Sequence, residues 1–354
     1  MNNLFNSIYK NKRVLVTGHT GFKGSWLCLW LKELGANIIG YSLDINTNPN
    51  LFELLELNSG LISIIDDIRN ENGIFEAINT YKPEIVFHLA AQPLVRLSYE
   101  DPKFTYETNI LGTINLFESI RKSSSVKVVV NVTTDKCYDN KEWNYSYREI
   151  DPMGGYDPYS SSKACVELIT NSYRNSYFKD RNIALASVRA GNVIGGGDWS
   201  SDRLIPDMVK SFFRNERVII RNPSAIRPWQ YVLEPLSGYL WLGSLMYNES
   251  HKYSEGWNFG PNDNNLTVKD IIEKSISILG YGDYVVEKSK EFYESNLLNL
   301  DITKAKSKIN WHPVYNNEEA LVETINWYKY FYNYRGLDIR EYSINQIKEY
   351  TKKA

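Results

Sequence analysis

Residues 14–27 read VLVTGHTGFKGSWL. Gly18, Gly21 and Gly24 fall between a β-branched run, Val14–Thr17, and a helically spaced apolar face built from Trp26, Leu27, Trp30, Leu31 and Leu34. Each glycine has a physical reason there. One makes a tight turn, one lets backbone approach a phosphate, and one lets helix pack closely on strand, with a pyrophosphate at the helix N-terminus. A lone triplet is a weak signal. Its placement in the first strand–helix unit, with Asp44 ending the second strand roughly 20 residues on, strengthens it, because that carboxylate can accept from a ribose 2′-OH. An acid with no Arg beside it favours NAD over NADP. The competing reading is a glycine-rich turn with a solvated Asp44.

The pattern continues downstream. Ile38–Leu43, Ile62–Ile65, Ile85–Leu89 and Val128–Val132 are short and mostly β-branched, separated by segments with helical spacing, and Ala184–Val188 reads as a sixth strand. Asn109–Ile120 is one such segment, with Ile110, Leu111, Ile114, Leu116 and Phe117 expected inward. Strand–helix alternation demands crossover connections and hence a parallel sheet covered on both faces, so the fold class is α/β, a Rossmann-type doubly wound sheet. Residues 1–190 form the dinucleotide-binding domain. Regularity then fades, and 191–354 read as a smaller, mixed α/β lobe with strands at Val218–Arg221 and Trp229–Leu233 and helices at Val268–Leu279 and Ala320–Phe331. The lobes are expected to interleave, with segments near 228–260 rejoining the main sheet through Trp257–Phe259.

Composition narrows the function classes. The 354 residues carry 40 basic and 42 acidic side chains, net charge −2, with no charge run fit for a nucleic-acid or membrane surface. Cys28, Cys137 and Cys165 are odd in number and lack metal-type spacing, so no disulfide framework and no metal site are expected. A reducing cytoplasm suits them. Neither a signal peptide nor a membrane anchor is read.

Tyr159 and Lys163 stand in YSSSK, one helical turn apart after the turn-rich PMGGYDP, so both side chains share a face. An ammonium favours the phenolate, and a tyrosine near 10 must be lowered to take a proton from an alcohol. Taken alone, the spacing is a common accident.

The glycine turn in its GxxGxxG form, DDI at 66–68, HLAAQ at 88–92 and YSSSK together resemble the extended short-chain dehydrogenase/reductase family. The resemblance implies an NAD site at Gly18, Gly21, Phe22 and Gly24, with Asp67 and Ile68 bordering the adenine and Ala90 and Ala91 leaving room at the sheet edge. It also implies that Tyr159 exchanges the substrate proton while Lys163 holds the nicotinamide ribose.

TTDKCY at 133–138 leaves the strand Val128–Val132 at the sheet's carboxyl edge, facing Tyr159. The family places a Ser or Thr here against the substrate hydroxyl, the place of Thr134. The nucleotide-sugar 4,6-dehydratase group adds an acid and a base next, the places of Asp135 and Lys136. That group oxidises C4, eliminates water across C5 and C6, and returns the hydride to C6. An unperturbed Lys136 would be a poor base, and lowering it by ~3 units costs about 4 kcal/mol. Asp135 must rise above ~3.9 to donate a proton, yet an adjacent ammonium lowers it. The competing reading is a surface Asp–Lys ion pair.

Lys rather than Glu at position 136 separates the chain from the dTDP-glucose members. The strings TGHTGFKGSWL, AAQPLVRLSY, TTDKCYDN, YDPYSSSKA, RAGNVIGGGDW and RPWQYVLEPLSGY resemble the branch acting on CDP-glucose, over about 12–312. Carried over by position, Asn192 and Arg227 would bind the substrate diphosphate, with Arg96 and Arg203 as further candidates at the sugar nucleotide. Glu234 has either a closing or a purely structural role. Tyr231 departs from the His usual after RPWQ, which leaves the base and sugar open. UDP-GlcNAc and a nucleotide-heptose are the alternative substrates, and a non-catalytic dinucleotide sensor is the alternative of another class. The resemblance further implies a homodimer or dimer of dimers, paired through helices around Asn109–Ile120 and Ala164–Tyr173, and a product destined for deoxysugars of a surface polysaccharide such as O-antigen.

Overall fold

The computed structural model describes residues 4–262, 266–287, 297–334 and 338–354. The β-branched runs become β1 (Arg13–Thr17), β2 (Asn37–Ser42), β3 (Ile62–Ile65), β4 (Ile85–His88), β5 (Val128–Val132) and β6 (Ala184–Ala190). A seventh strand, Gly256–Phe259, pairs with β6, and the order is Gly256–Phe259, β6, β5, β4, β1, β2, β3. All neighbours are parallel.

Both faces of the sheet are covered, which is why the central strands are mostly apolar instead of alternating with polar residues. In β5, Val128, Val130 and Val132 pack into one apolar cluster while Val129 points into the other, as the two-residue period of a strand requires. The first cluster also takes in Trp26 and Trp30 of the helix Phe22–Glu33, Leu240 of the helix Leu233–Asn248, and Met208, Ile271 and Trp327 from later segments. One core therefore runs from the main sheet into the smaller lobe. That lobe contains two short parallel pairs, Val218–Ile220 with Tyr284–Val286 and Val193–Ile194 with Gln230–Tyr231.

Several expectations shift. The Trp229–Leu233 strand shortens to Gln230–Tyr231, since the helix Leu233–Asn248 begins at once. That helix, with Leu204–Phe213 and Ile339–Lys353, was absent from the sequence reading. Leu111 was placed inward but is 50% exposed. A π-turn over Glu107–Leu111 precedes the helix Gly112–Lys122, and its wider turn changes the phase of the apolar face. Among the described residues, no helix is long and apolar enough to cross a membrane.

Strand order reverses at β1 and β4, so their carboxyl ends open a crevice at the topological switch point. The loops after β1, β4, β5 and β6 all emerge on that edge.

Candidate active site

The glycine loop is built as a cradle. Gly18 has φ +74°, and an added Cβ would meet the Ala90 backbone nitrogen at 2.9 Å. Thr17 fixes that approach, its hydroxyl oxygen accepting from the N–H groups of both Leu89 and Ala90 at 3.1 Å. A Cβ on Gly24 would stand 2.0 Å from the Gly18 carbonyl, so only glycine allows the helix to start this close to the strand. Gly21 differs: its nearest neighbour would be 3.4 Å away, and it is exposed toward the cavity. These residues fit a dinucleotide pyrophosphate, with two glycines needed for packing and the third leaving open the space where a phosphate would rest.

A cavity of about 1010 Å³ follows from the loop along the sheet edge. The residues expected to hold cofactor, substrate and protons all line it: Gly18, Gly21, Phe22, Gly24, Asp44, Asp67, Ile68, Ala90 and Ala91. Thr134, Asp135, Lys136, Tyr159 and Lys163 line the same cavity, as do Arg96, Asn192, Arg203 and Arg227. Asp67 is pushed up by burial, but the Arg69 fork at 2.7 and 3.0 Å outweighs this and holds its carboxyl below the usual value.

The Tyr159 helix starts where its sequence dictates. Asp157 caps it by accepting from the Ser160 N–H at 2.9 Å, and Pro158 occupies the first turn. Tyr159 and Lys163 then face the cavity from successive turns. Burial pushes the Tyr159 phenol up to about 12 against its hydrogen bond with Thr134, and pulls Lys163 down to about 8. Lys163 Nζ donates to the Val132 carbonyl at 3.3 Å. The sequence reading sought a lowered tyrosine, and the protein alone has a raised one. Desolvation disfavours the phenolate, so the proton stays until positive charge arrives beside it.

TTDK folds as a short turn capped by Thr134, whose hydroxyl donates to Asp135 Oδ1 at 3.0 Å. Asp135 is 3% exposed, and burial raises its pKa, offset in part by Lys136, Thr134 and Arg227. The Asp–Lys pair is therefore no surface salt bridge. Lys136 is half-buried on the cavity wall.

The arginines do more than the motif reading said. Arg203 Nη1 donates to Asp198 at 2.7 Å, and Arg96 bridges the cleft to Asp202 at 3.1 Å. Each guanidinium has five N–H donors, so these bonds leave capacity for a phosphate. Tyr231 is fully buried against Tyr315 and is not among the lining residues, so its departure from the usual His concerns packing. Glu234 likewise serves structure, accepting from the Val314 and Tyr315 N–H groups and the Tyr350 hydroxyl.

Lys23 was overlooked. It lines the cavity from inside the glycine loop, donates to Tyr239 Oη at 3.3 Å, and is lowered to about 7 by desolvation of its ammonium, then by Lys163 and Arg203. Its signal was a lysine in the otherwise uncharged first turn GFKG. His88, by contrast, is neutral and structural, bonded to Thr17 and Thr113 and pushed down to about 3 by burial.

Residues 15–324 match the family model described as GDP-mannose 4,6 dehydratase. The chain belongs to this family. Within the GDP-mannose 4,6 dehydratase family, it is 51% identical over 97% of both chains to a Salmonella typhimurium protein named CDP-glucose 4,6-dehydratase. A probable dTDP-glucose 4,6-dehydratase of Sinorhizobium fredii is 27% identical over 89% of this chain and 92% of its own. Among solved structures, a UDP-glucose 4-epimerase from Thermotoga maritima, with UDP-glucose, superposes with TM-score 0.78 at 25% identity, covering 90% of this chain and 98% of that one. A Bacillus anthracis dTDP-glucose 4,6-dehydratase in complex with NAD gives 0.75 at 24% identity, covering 90% and 96%, and bears on the fold. In this family member the glycine cradle, the Tyr159–Lys163 pair and the Thr134–Lys136 turn share one cavity, the arrangement that alcohol oxidation followed by elimination needs.

Proposed function

We propose that the protein is an NAD-dependent nucleotide-sugar 4,6-dehydratase acting on CDP-D-glucose and forming CDP-4-dehydro-6-deoxy-D-glucose. The observation that carries this reading is the acid–amine pair Asp135 and Lys136 on the same cavity wall as Tyr159 and Lys163. The choice of CDP-glucose rests on the 51% identity to the Salmonella relative.

NAD held at Gly18, Gly21, Gly24 and Asp44 supplies a hydride acceptor for C4 and a donor for C6. Thr134 and Tyr159 orient the C4 hydroxyl, and Tyr159 Oη receives its proton. The resulting ketone acidifies C5–H. Lys136 Nζ takes the C5 proton while Asp135, whose pKa burial raises, gives a proton to the departing C6 oxygen. With bound NAD returning the hydride to C6 and a proton returned to C5, the net change would be loss of one water. Arg203, Arg227, Arg96 and Asn192 hold the diphosphate and sugar. The product suits a route to deoxysugars.

A panel of CDP-, UDP-, GDP- and dTDP-sugars, read by mass for water loss, tests the reading. CDP-glucose is the expected substrate, and exclusive action on UDP-GlcNAc would overturn the choice. The functional unit in this proposal is a homodimer. Leu111, Leu168 and Tyr177 are 50%, 62% and 45% exposed on the paired helices around Gly112–Lys122 and Pro158–Tyr173, an apolar face suited to isologous bundling. Sedimentation as a monomer would refute it. Three free cysteines, two of them buried, suit a cytoplasmic setting.

A further inference from the structure

The turn bearing Asp135 and Lys136 is tied at both ends to one buried ion pair. Upstream, the Thr133 hydroxyl donates to Glu167 Oε1 and to the Val188 carbonyl. Downstream, Tyr138 Oη accepts from Arg189 Nη1 at 2.6 Å and donates to Asn258 Oδ1 at 2.7 Å. Glu167 and Arg189 bind each other as a fork, Nε to Oε1 and Nη2 to Oε2, both at 2.8 Å, and Ser187 adds a third donor to Glu167 at 2.6 Å. The two residues are 5% and 4% exposed.

Glu167 lies on the Tyr159 helix, two turns beyond Tyr159 and one beyond Lys163, so all three project from one helix face. Arg189 belongs to β6 and Asn258 to the seventh strand. The helix that handles the C4 proton and the turn that handles the C5 and C6 protons are thus referenced to the same pair. Buried ion pairs add little net stability, because desolvation offsets their attraction, and their best-attested use is to fix register.

We propose that Tyr138 and the Glu167–Arg189 pair are positioning residues for the elimination half of the reaction, holding Asp135 and Lys136 at a fixed station relative to Tyr159. The proposal rests on the 4,6-dehydratase reading. An error of about 1 Å in such placement can cost about a hundredfold in rate. C4 oxidation depends on Tyr159 and Lys163, whose own helix is also held through Asp157 and through Asn109, which donates to Ser162 at 2.8 Å, and on Thr134, which directly follows the Thr133 tie. Loosening the Tyr138 end of the turn, away from Thr134, therefore slows elimination more than oxidation.

Tyr138→Phe is the informative change. It removes the hydroxyl between Arg189 and Asn258 but keeps the ring stacked on Tyr147 at 5.1 Å, within a cluster that includes Cys137, Ala164 and Leu298. Single turnovers of NAD-loaded enzyme on CDP-glucose in D2O are followed by reduced-nicotinamide absorbance for C4 oxidation and by deuterium incorporation at C5 for elimination. Tyr138→Phe is expected to oxidise C4 within about threefold of wild type, incorporate deuterium about 10- to 100-fold more slowly, and accumulate reduced nicotinamide. Proportional loss of both half-reactions, or loss of neither, would overturn the positioning role while the wild type still dehydrates. No water loss by the wild type from any nucleotide sugar would sink the dehydratase reading and this proposal with it.

Discussion

Asp135 and Lys136 are neighbours in sequence with different surroundings. Asp135 is sealed, and burial raises its pKa toward proton donation, whereas Lys136 is half-buried on the cavity wall. Separate roles should produce separate defects. Lys136→Ala is expected to leave C4 oxidation possible and to block exchange of C5–H with solvent; unchanged exchange would remove Lys136 as the base. Tyr159→Phe should cut C4 oxidation itself by about 10²- to 10⁴-fold. Burial pushes the phenol up to about 12 in the protein alone, and bound NAD should bring it down, so the oxidation rate of the NAD-loaded enzyme should climb with pH until the phenolate is formed. A flat rate in rapid-mixing absorbance measurements would contradict that. The site residues were legible because each stands in a motif whose spacing fixes its place on a strand end or first helical turn. Asp202 and Lys23 were not, because their contacts, to Arg96 and Tyr239, join segments distant in the chain.

At the scale of elements, the glycine loop separates packing from binding. Gly24→Ala drives a Cβ into the Gly18 carbonyl and should lower the melting temperature markedly, while Gly21→Ala meets only ordinary contact and should fold normally. Calorimetry should show Gly21→Ala weakened about tenfold or more for NAD, since the new methyl takes up phosphate space. Equal destabilisation by the two changes would refute this division. The strands β1, β4 and β5 were readable because buried parallel strands concentrate apolar, often β-branched residues. The helix Leu233–Asn248 was not, because it is buried nearly all round and therefore carries no amphipathic stripe to mark its period. The same burial lets it close over β5 and β6 beneath the site.

In the whole molecule, the C-terminal helix Ile339–Lys353 locks onto the core through Tyr350, whose hydroxyl donates to Glu234 at 2.8 Å and meets Ser237 at 3.0 Å. Burial raises Glu234 from 4.5 to about 7, against the pull of its three donors. The folded state thus holds this proton more tightly than the unfolded chain. Its contribution, on the order of 3 kcal/mol, is fully present below about pH 4.5 and fades as pH rises through about 7. Glu234→Gln should flatten the fall in melting temperature between about pH 5 and pH 8, and an unchanged slope would rule out this proton as the cause. This lock and the shared apolar cluster bind the lobes into one body around the cavity. The central claim is that two proton-transfer stations in that cavity turn oxidation into dehydration. The most direct test is CDP-glucose deuterated at C4, incubated in ordinary water and followed by mass and NMR: the account predicts a product lighter by one water with the deuterium at C6, whereas no water loss, or water loss with the label released to solvent, would contradict it.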